Sequence, residues 1–230
     1  MSPPISVMIG VYNGAKYIGE AIESVLAQDY APLELIVVDD GSDDGSGVVA
    51  SSYPEVRCVR QERGGNGAAR NRAVEFASHD FLAFLDADDR FTRGKLAAQM
   101  AALHADATLD VIFGHVREFT SPELTDEERS GVRPPAPEPL PWTAPNLMLI
   151  RRASFERVGP FSESLRVGVT VDWFARASEA GLRSLVLPEV VLERRLHTQN
   201  NGLRERDSRT QYLQVIRAAM ERRRKASADQ

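Results

Sequence analysis

The sequence predicts an α/β protein with a mostly parallel central sheet and helices on both faces. Three observations point to this class. Strand and helix patterns alternate through the first half of the chain, the predicted strands are continuous apolar runs, and two of these runs end in clustered carboxylates. Alternating strands and helices favour a parallel sheet, and continuous apolar strands are typical of one buried on both faces.

The first half of the chain contains five short apolar segments that read as strands. They are residues 5–11, 33–38, 56–59, 81–85 and 109–113. Apolar residues at helical spacing, or glycines followed by such residues, lie between these segments. They predict helices at residues 17–26, around 48–50, at 64–78 and at 96–103.

The pattern changes after residue 119. Residues 121–145 contain seven prolines and little periodicity, which predicts a long loop. Trp142 in this loop is either a packing anchor or a platform for an acceptor. The remaining predicted elements are a strand at 146–150, a helix at 170–180 capped by Thr170, short strands at 186–187 and 190–192, and a terminal helix at 206–225.

Composition suits one globular domain and excludes several functional classes. The 230 residues are 43% hydrophobic and 27% charged, with a net charge of -5 and no basic stripe except at the far C-terminus. We therefore expect no nucleic-acid binding.

Cys58 is the only cysteine, so no intrachain disulfide can form. No apolar run approaches the ~20 residues of a membrane span, and no signal peptide is evident, so we expect a cytoplasmic protein.

Clustered acids follow two of the predicted strands. Asp86, Asp88 and Asp89 come directly after the fourth strand, and Asp39 and Asp40 come after the second. The carboxyl ends of parallel strands form the edge where α/β proteins bind ligands. Carboxylates this close together repel each other, and Mg²⁺ or Mn²⁺ bridging to a phosphate relieves that repulsion. The alternative is a pair of ordinary polar turns, but two acid-ended strands favour one shared site.

Two other motifs are weaker. The turn that begins at Asp40 has the spacing of an EF-hand calcium loop, but its twelfth position is Ser51 rather than Glu and a strand precedes it. The glycines at residues 64–67 lack the spacing of the dinucleotide fingerprint and follow the third strand rather than the first. Neither motif predicts a separate site.

Five short motifs, in order along the chain, resemble the family 2 glycosyltransferases with the GT-A fold. They are Ser6-Val7-Met8-Ile9 with Tyr12-Asn13, Asp39-Asp40-Gly41-Ser42 with Asp44-Gly45, Gly67-Ala68-Ala69-Arg70-Asn71, Asp86-Ala87-Asp88-Asp89, and Arg195-Leu196-His197 with Asn200. Each motif is weak alone, but five in the family's order are specific. The resemblance covers residues 5–200.

The resemblance implies a single GT-A-type domain with a Rossmann-like half that binds a nucleotide-diphosphate sugar. That half is expected at residues 1–119, an acceptor and catalytic half at 120–205, and a basic helix at 206–230. The residues expected to bind the nucleotide are Val11, Tyr12, Asn13, Asp39, Asp40, Gly67, Arg70, Asn71, Asp86 and Ala87. Asp88 and His197 are expected to hold a divalent metal, Mn²⁺ or Mg²⁺.

One family feature is missing where the catalytic base is expected. Inverting members usually carry Glu-Asp shortly before a helix, and here the pair falls on Val169 and Thr170, which cannot act as an acid and a base. Asp172 is the remaining candidate for the general base. An acid in the first turn of a helix can also serve only to stabilise the helix dipole. Alternatively, the acceptor needs little deprotonation or brings its own base.

The expected reaction is metal-dependent sugar transfer to an acceptor hydroxyl with inversion. The donor suggested by the resemblance is a UDP-sugar, with GDP- and dTDP-sugars as alternatives. Two other classes stay open: a protein that binds nucleotide sugars without efficient transfer, and a sugar nucleotidyltransferase. The basic amphipathic pattern at 206–225 predicts either peripheral contact with an anionic membrane or a helix that covers the domain or a second subunit.

Overall fold

The computed structural model describes residues 2–200 and residue 222. The predicted terminal helix, with its membrane or dimer role, lies outside the described residues apart from Arg222. Within the described residues the fold class is confirmed, because helices pack on a mixed α/β sheet whose first half is parallel. No helix of this part of the chain is long and apolar enough to cross a membrane.

Strands and helices alternate through the first half of the described chain, as predicted. The strands are β1 Ile5–Val11, β2 Leu33–Asp39, β3 Val56–Arg60, β4 Phe81–Asp86, β5 Arg90–Phe91, β6 Val111–Thr120, β7 Leu140–Trp142, β8 Leu149–Arg151 and β9 Ser184–Leu196. The helices are α1 Ile18–Leu26, α2 Ser46–Ser51, α3 Asn66–Phe76, α4 Lys95–Ala105, α5 Asp126–Ser130, α6 Arg152–Val158 and α7 Val169–Glu179. A 3-10 turn spans Pro145–Leu147.

The sheet has the order β3-β2-β1-β4-β8-β6-β9-β5, with β7 paired to β6. The first four of these strands run parallel, and β8 joins them to β6 by antiparallel pairing on both sides. In register, Val11 lies opposite Asp39, and Gly10 lies opposite Asp86. The carboxyl ends of β1, β2 and β4 therefore meet at one edge, and the acids that follow them come together there.

The core covers both faces of the central strands. Every residue of β1 is buried except Gly10, which is half-buried. Because successive side chains of a strand point to opposite faces, layers must pack on both sides. An aromatic cluster of Phe84, Phe155, Phe161 and Trp173 joins β4 to α6 and α7, with neighbouring ring centroids 5.5 to 5.9 Å apart. Burying each such ring contributes roughly 1.5–3 kcal/mol, which anchors the segment after α6 against the sheet.

The segment predicted as a featureless loop contains two short elements. Helix α5 begins with a capping box, in which Thr125 and Glu128 each accept a hydrogen bond from the other's backbone N–H. Strand β7 pairs with β6 at the sheet edge, where the missing N–H of Pro141 is tolerated. The proline content hid both elements, although the Thr-x-x-Glu pattern was a readable signal for α5.

Other boundaries also differ from the prediction. The two short strands at 186–187 and 190–192 are parts of the single strand β9, which stays paired to β6 through a local register shift. The predicted strand at 146–150 begins as the 3-10 turn, and α6 and β5 were missed. Thr170 does not cap α7: the helix begins one residue earlier, after Gly168 in the left-handed conformation at φ 79°, without a side-chain cap.

Candidate active site

A cleft of about 1230 Å³ opens at the carboxyl edge of β1, β2 and β4. Several predicted site residues line it, namely Val11, Tyr12, Asn13, Asp40, Asp86, Ala87, Asp88 and His197. Five others, Asp39, Gly67, Arg70, Asn71 and Asp172, are not among its lining residues. The cleft thus brings most of the predicted site together, and the contacts of the other five show why they lie elsewhere.

Tyr12 and Arg63 form a flat stack at the end of the cleft next to β1. Tyr12 is 40% exposed, and the guanidinium carbon of Arg63 lies 3.7 Å from the centroid of its ring. The loop that carries Tyr12 is held to the turn after β2, because Asn13 N–H donates to Ser42 Oγ at 3.0 Å and Asn13 Oδ1 accepts from Asp43 N–H at 3.0 Å. Planar aromatic and guanidinium groups suit stacking on a nucleobase.

Asp40 supports the loop that leads into α3. Its carboxylate is almost fully buried and accepts hydrogen bonds from Gln61 Nε2 at 2.7 Å, Gly64 N–H at 2.7 Å and Gly65 N–H at 2.8 Å. Gly65 has a φ of 88°, a conformation that disfavours other residues. Asp40 therefore shapes the wall of the cleft as well as lining it.

Asp39 points into the protein, unlike its neighbour. It accepts from Ser42 N–H at 2.9 Å and from the Arg60 guanidinium at 2.8 Å, and its residue is only 1% exposed. Consecutive residues at the end of a strand point to opposite faces, so only one of the two acids can face the ligand. This placement does not match the predicted direct contact of Asp39 with the nucleotide. Asp39 instead stabilises the turn after β2.

Three residues predicted on α3 contact protein instead of the cleft. Arg70 is buried and donates to Asp86 Oδ1 at 2.7 Å. Asn71 binds the backbone of Phe161 through both its side-chain groups, at 2.9 Å each. Gly67 leaves room for a close approach, because a Cβ there would lie 2.4 Å from the carbonyl oxygen of Ser162. Helix α3 thus fastens the segment after α6 to the edge of the cleft.

The acids after β4 are held by a residue that the sequence did not single out. The amide of Asn146 donates to Asp86 Oδ2 at 3.1 Å and to Asp89 Oδ2 at 2.8 Å. Burial, with the adjacent charges of Asp88 and Asp86, raises the pKa of Asp89 well above its usual range. One feature of the sequence could have identified Asn146: it is the single polar residue within the apolar run at 145–150.

Asp88 and His197 meet at the cleft although they are far apart in the chain. The distance between Asp88 Oδ2 and His197 Nε2 is 2.9 Å, and Asn200 Nδ2 lies 3.4 Å from the same oxygen. On the other side of the ring, His197 Nδ1 lies 3.3 Å from the backbone nitrogen of Gln199. The contact of Asp88 with His197 joins the loop after β4 to the segment after β9.

Arg195 holds the backbone of Asp88 in place. Its fully buried guanidinium donates to the carbonyl oxygen of Asp88 at 3.1 Å and to Glu20 Oε2 at 2.6 Å. Its own N–H donates to Asp89 Oδ1 at 3.0 Å. The Arg-x-His element at the end of β9 therefore acts as one unit: Arg195 positions the acidic loop and His197 contacts the half-buried carboxylate of Asp88.

Two side chains of the cleft, Asp88 and His197, could serve as ligands of a divalent metal ion. Among residues 2–200, no group of three or more His, Cys, Asp or Glu side chains is arranged to hold a metal ion. Asp88 and His197 present an oxygen and a nitrogen side by side on the cleft wall. Mg²⁺ is commonly bound by one or two carboxylates with the remaining ligands from substrate phosphates and water, so this pair suits an ion that arrives with a nucleotide diphosphate.

Asp172 lies away from this cleft. Its Oδ2 accepts from Arg176 Nε at 2.9 Å, one turn along α7, and its Oδ1 lies 3.6 Å from a guanidinium nitrogen of Arg222. Asp172 is 9% exposed. The placement does not bring the predicted base together with the rest of the site, because α7 directs this carboxylate toward its own arginine partners.

A comparison with protein families identifies the chain. The family model described as "Glycosyl transferase family 2" matches residues 6–159. The chain belongs to glycosyltransferase family 2. An uncharacterised glycosyltransferase of Rickettsia typhi is 33% identical over 190 residues, which are 75% of this chain and 58% of the relative. The putative glycosyltransferase EpsH of Bacillus subtilis is 35% identical over 122 residues, covering 51% of this chain and 35% of EpsH.

Two solved structures share the fold of this family 2 chain. Residues 1–349 of TarS from Staphylococcus aureus superpose with a TM-score of 0.72 at 22% identity, over 94% of this chain and 64% of TarS. The mannosyltransferase PcManGT of Pyrobaculum calidifontis, solved with GDP-Man and Mn²⁺, gives 0.72 at 23% identity, over 96% of this chain and 65% of that protein. The chain spans less than two thirds of the length of these proteins and of the relatives above.

Proposed function

We propose that this protein transfers a sugar from a nucleotide-diphosphate sugar to an acceptor hydroxyl. The observation that carries the proposal is the meeting of Asp88 and His197 in a cleft at the carboxyl edge of the sheet. That edge is where open α/β sheets bind their ligands. Membership of glycosyltransferase family 2 supports the same reaction class.

The cleft offers complementary surfaces to each part of such a donor. Tyr12 and Arg63 provide a stacking surface for the base, and Asp40 next to them can accept from base or ribose donors. The backbone at the start of α3, where Gly65 and Asn66 line the cleft, favours negative charge and suits the diphosphate. We propose a UDP-sugar as the donor, since TarS has been solved with UDP-GlcNAc. A GDP-sugar is the second candidate, since PcManGT has been solved with GDP-Man.

Asp88 and His197 would hold Mn²⁺ or Mg²⁺ beside the diphosphate. Bound there, the ion would neutralise the charge that develops on the leaving diphosphate. Asn146 and Arg70 keep Asp86 in place, and Arg195 keeps Asp88 in place, so the loop does not have to reorganise during the reaction. We propose inversion: the acceptor oxygen attacks from the face opposite the diphosphate.

The acceptor region is proposed to include β7. Trp142 is 38% exposed on this edge strand, and the guanidinium carbon of Arg194, a cleft residue, lies 4.7 Å from its ring centroid. This contact makes Trp142 a neighbour of the cleft. The face of the ring away from Arg194 suits the apolar face of a sugar.

Release of nucleotide diphosphate from a panel of UDP-, GDP- and dTDP-sugars, with Mn²⁺ or with EDTA, tests the proposal. We expect release from one nucleotide class with Mn²⁺ and its loss in EDTA. A nucleotidyltransferase would instead produce pyrophosphate from a nucleoside triphosphate and a sugar phosphate. Binding of UDP without release from any donor would identify a binding protein and contradict the proposal.

A further inference from the structure

The carboxylates that line the cleft differ in the number of hydrogen bonds that they accept from the rest of the protein. Asp40, Asp44, Asp86 and Asp89 each accept hydrogen bonds on both oxygens. Asp88 is bound by His197 and Asn200. A general base needs an accessible oxygen that is not already committed to a cation or a metal, so these acids are poorly suited to accept a proton from a substrate.

Glu163 is the remaining acid among the described residues that line the cleft, and it differs from the others. It is exposed, and its Oε1 accepts a single hydrogen bond, from Asn71 Nδ2 at 2.8 Å. Within the described part of the chain, no Lys, Arg or His nitrogen lies within 4.0 Å of it, and its Oε2 makes no hydrogen bond. One oxygen is therefore oriented by Asn71, while the other oxygen of this cleft-lining side chain has no hydrogen-bond partner among the described residues.

The backbone around Glu163 is rigidly held. Asn71 binds both the N–H and the carbonyl oxygen of Phe161, and Gly67 packs against the carbonyl of Ser162. The Phe161 ring belongs to the buried aromatic cluster. A side chain on such a segment can keep a reactive geometry, which a base on a loose loop cannot.

Glu163 shares its support with the acids that face the diphosphate. Consecutive residues of α3 hold the two groups: Arg70 donates to Asp86 at 2.7 Å, and Asn71 donates to Glu163 at 2.8 Å. One turn of α3 thus holds two carboxylates that line the same cleft. This arrangement places an uncommitted acid beside the proposed donor site.

We propose that Glu163 is the general base of the transfer, in the role left vacant where Val169 and Thr170 occupy the family's Glu-Asp positions. This inference rests on the proposed function. The acceptor oxygen forms a bond to the anomeric carbon while the bond from that carbon to the phosphate oxygen breaks. The electron pair leaves with the nucleotide diphosphate, and the hydroxyl proton moves to Glu163 Oε2. Asp172 is unsuited to this step because two arginines already surround it.

The test compares Glu163→Gln with wild type, using whichever donor wild type turns over and water or a supplied acceptor as the nucleophile. Gln keeps an oxygen that accepts from Asn71, so the fold and the cleft wall should be retained. We expect turnover to fall by ~10²–10⁴-fold, while the Kd for the nucleotide diphosphate with Mn²⁺ stays within about twofold. The acidic limb of the wild-type pH profile of kcat should disappear in the variant.

Glu156→Gln is the matched control, because Glu156 is an exposed glutamate on α6 that does not line the cleft; it should behave as wild type. Turnover of Glu163→Gln equal to wild type would overturn the base assignment and leave the proposed function standing. A parallel loss of nucleotide affinity would also overturn it, because Glu163 would then be a binding residue. Absence of turnover in wild type with every donor would instead refute the proposed function, and the base with it.

Discussion

At the residue scale, the proposed chemistry of the cleft depends on Asp88, whose side chain contacts His197 and Asn200. Asp88 is the one acid of its loop that His197 reaches, while Asp86 and Asp89 are tied together by Asn146. Three neighbouring acids therefore have different tasks. Asp86 and Asp89 shape the loop through Asn146, and we propose that Asp88 faces the ligand.

We predict that Asp88→Asn weakens Mn²⁺-dependent binding of UDP or GDP, because the substitution removes the negative charge of the proposed metal ligand. The loss should equal or exceed the roughly 10–100-fold that even an outer-shell change costs a metal site. Calorimetric titration with Mn²⁺ and with EDTA measures it. Asp80→Asn, at an exposed aspartate outside the cleft, is the control, and unchanged metal dependence in Asp88→Asn would remove the metal assignment.

Asp172 leads to the opposite expectation. Its carboxylate binds Arg176, which in turn donates to the carbonyl oxygens of Val158 and Pro160. Asp172→Asn should therefore lower the free energy of unfolding by about 1.5–3 kcal/mol, the range for a hydrogen bond to a charged group. Chemical denaturation measures this loss. Turnover measured well below the unfolding transition should stay near wild type; a drop of ~10²-fold with normal stability would restore Asp172 as the base.

At the element scale, helix α4 contains a buried lysine that supports the site indirectly. Lys95 Nζ donates to Gln99 Oε1 at 2.7 Å and to the carbonyl oxygen of Leu147 at 2.9 Å. Gln99 Nε2 donates to the same carbonyl at 2.7 Å. These bonds secure the 3-10 turn in which Asn146 lies, so α4 sets the position of the residue that joins Asp86 and Asp89.

The buried ammonium of Lys95 predicts a pH-dependent stability. Burial lowers the pKa of Lys95 well below its ordinary value of 10.5. The unfolded chain then binds a proton more readily than the folded chain, so stability rises with pH in the window below 10.5. Urea unfolding at intervals from about pH 7 to 10 should show this rise in wild type and a smaller rise in Lys95→Met. Identical slopes in the two proteins would contradict it.

At the scale of the whole molecule, the two predicted halves share one sheet. Strand β8, from the second half, pairs with both β4 and β6 of the first. Asn71 adds a second connection by binding Phe161 and Glu163 across about ninety positions of sequence. The cleft lies along this connection, so its shape depends on both halves.

We predict that Asn71→Ala destabilises the molecule without separating it into two units. The change leaves the buried N–H and carbonyl of Phe161 without their partner, at a cost of about 1–3 kcal/mol for each group. Thermal unfolding should show one transition at a lower midpoint, because the shared sheet keeps the halves cooperative. Two resolved transitions in the variant would show that the halves unfold separately.

Local patterns were enough to predict the parallel strands in the first half of this chain. Strands β1, β2 and β4 are continuous apolar runs, and acids directly follow β2 and β4, so their type, their order and the position of the ligand edge follow from residues adjacent in sequence. The family motifs added the expectation that Asp88 and His197 act together. The prediction weakened where proline or a single polar residue interrupted a pattern, as in β7 and β9.

The sequence by itself determined the fold class, the family resemblance and the loops that form the cleft, because these depend on periodicity and on short motifs. Only the tertiary structure decided which side chains face the cleft. Asp39 turns inward while Asp40 lines the wall, and Asp172 pairs with arginines while Glu163 lines the cleft. The physical reason is that each choice depends on contacts between residues far apart in sequence, such as Asn71 with Glu163, and local spacing carries no information about such partners.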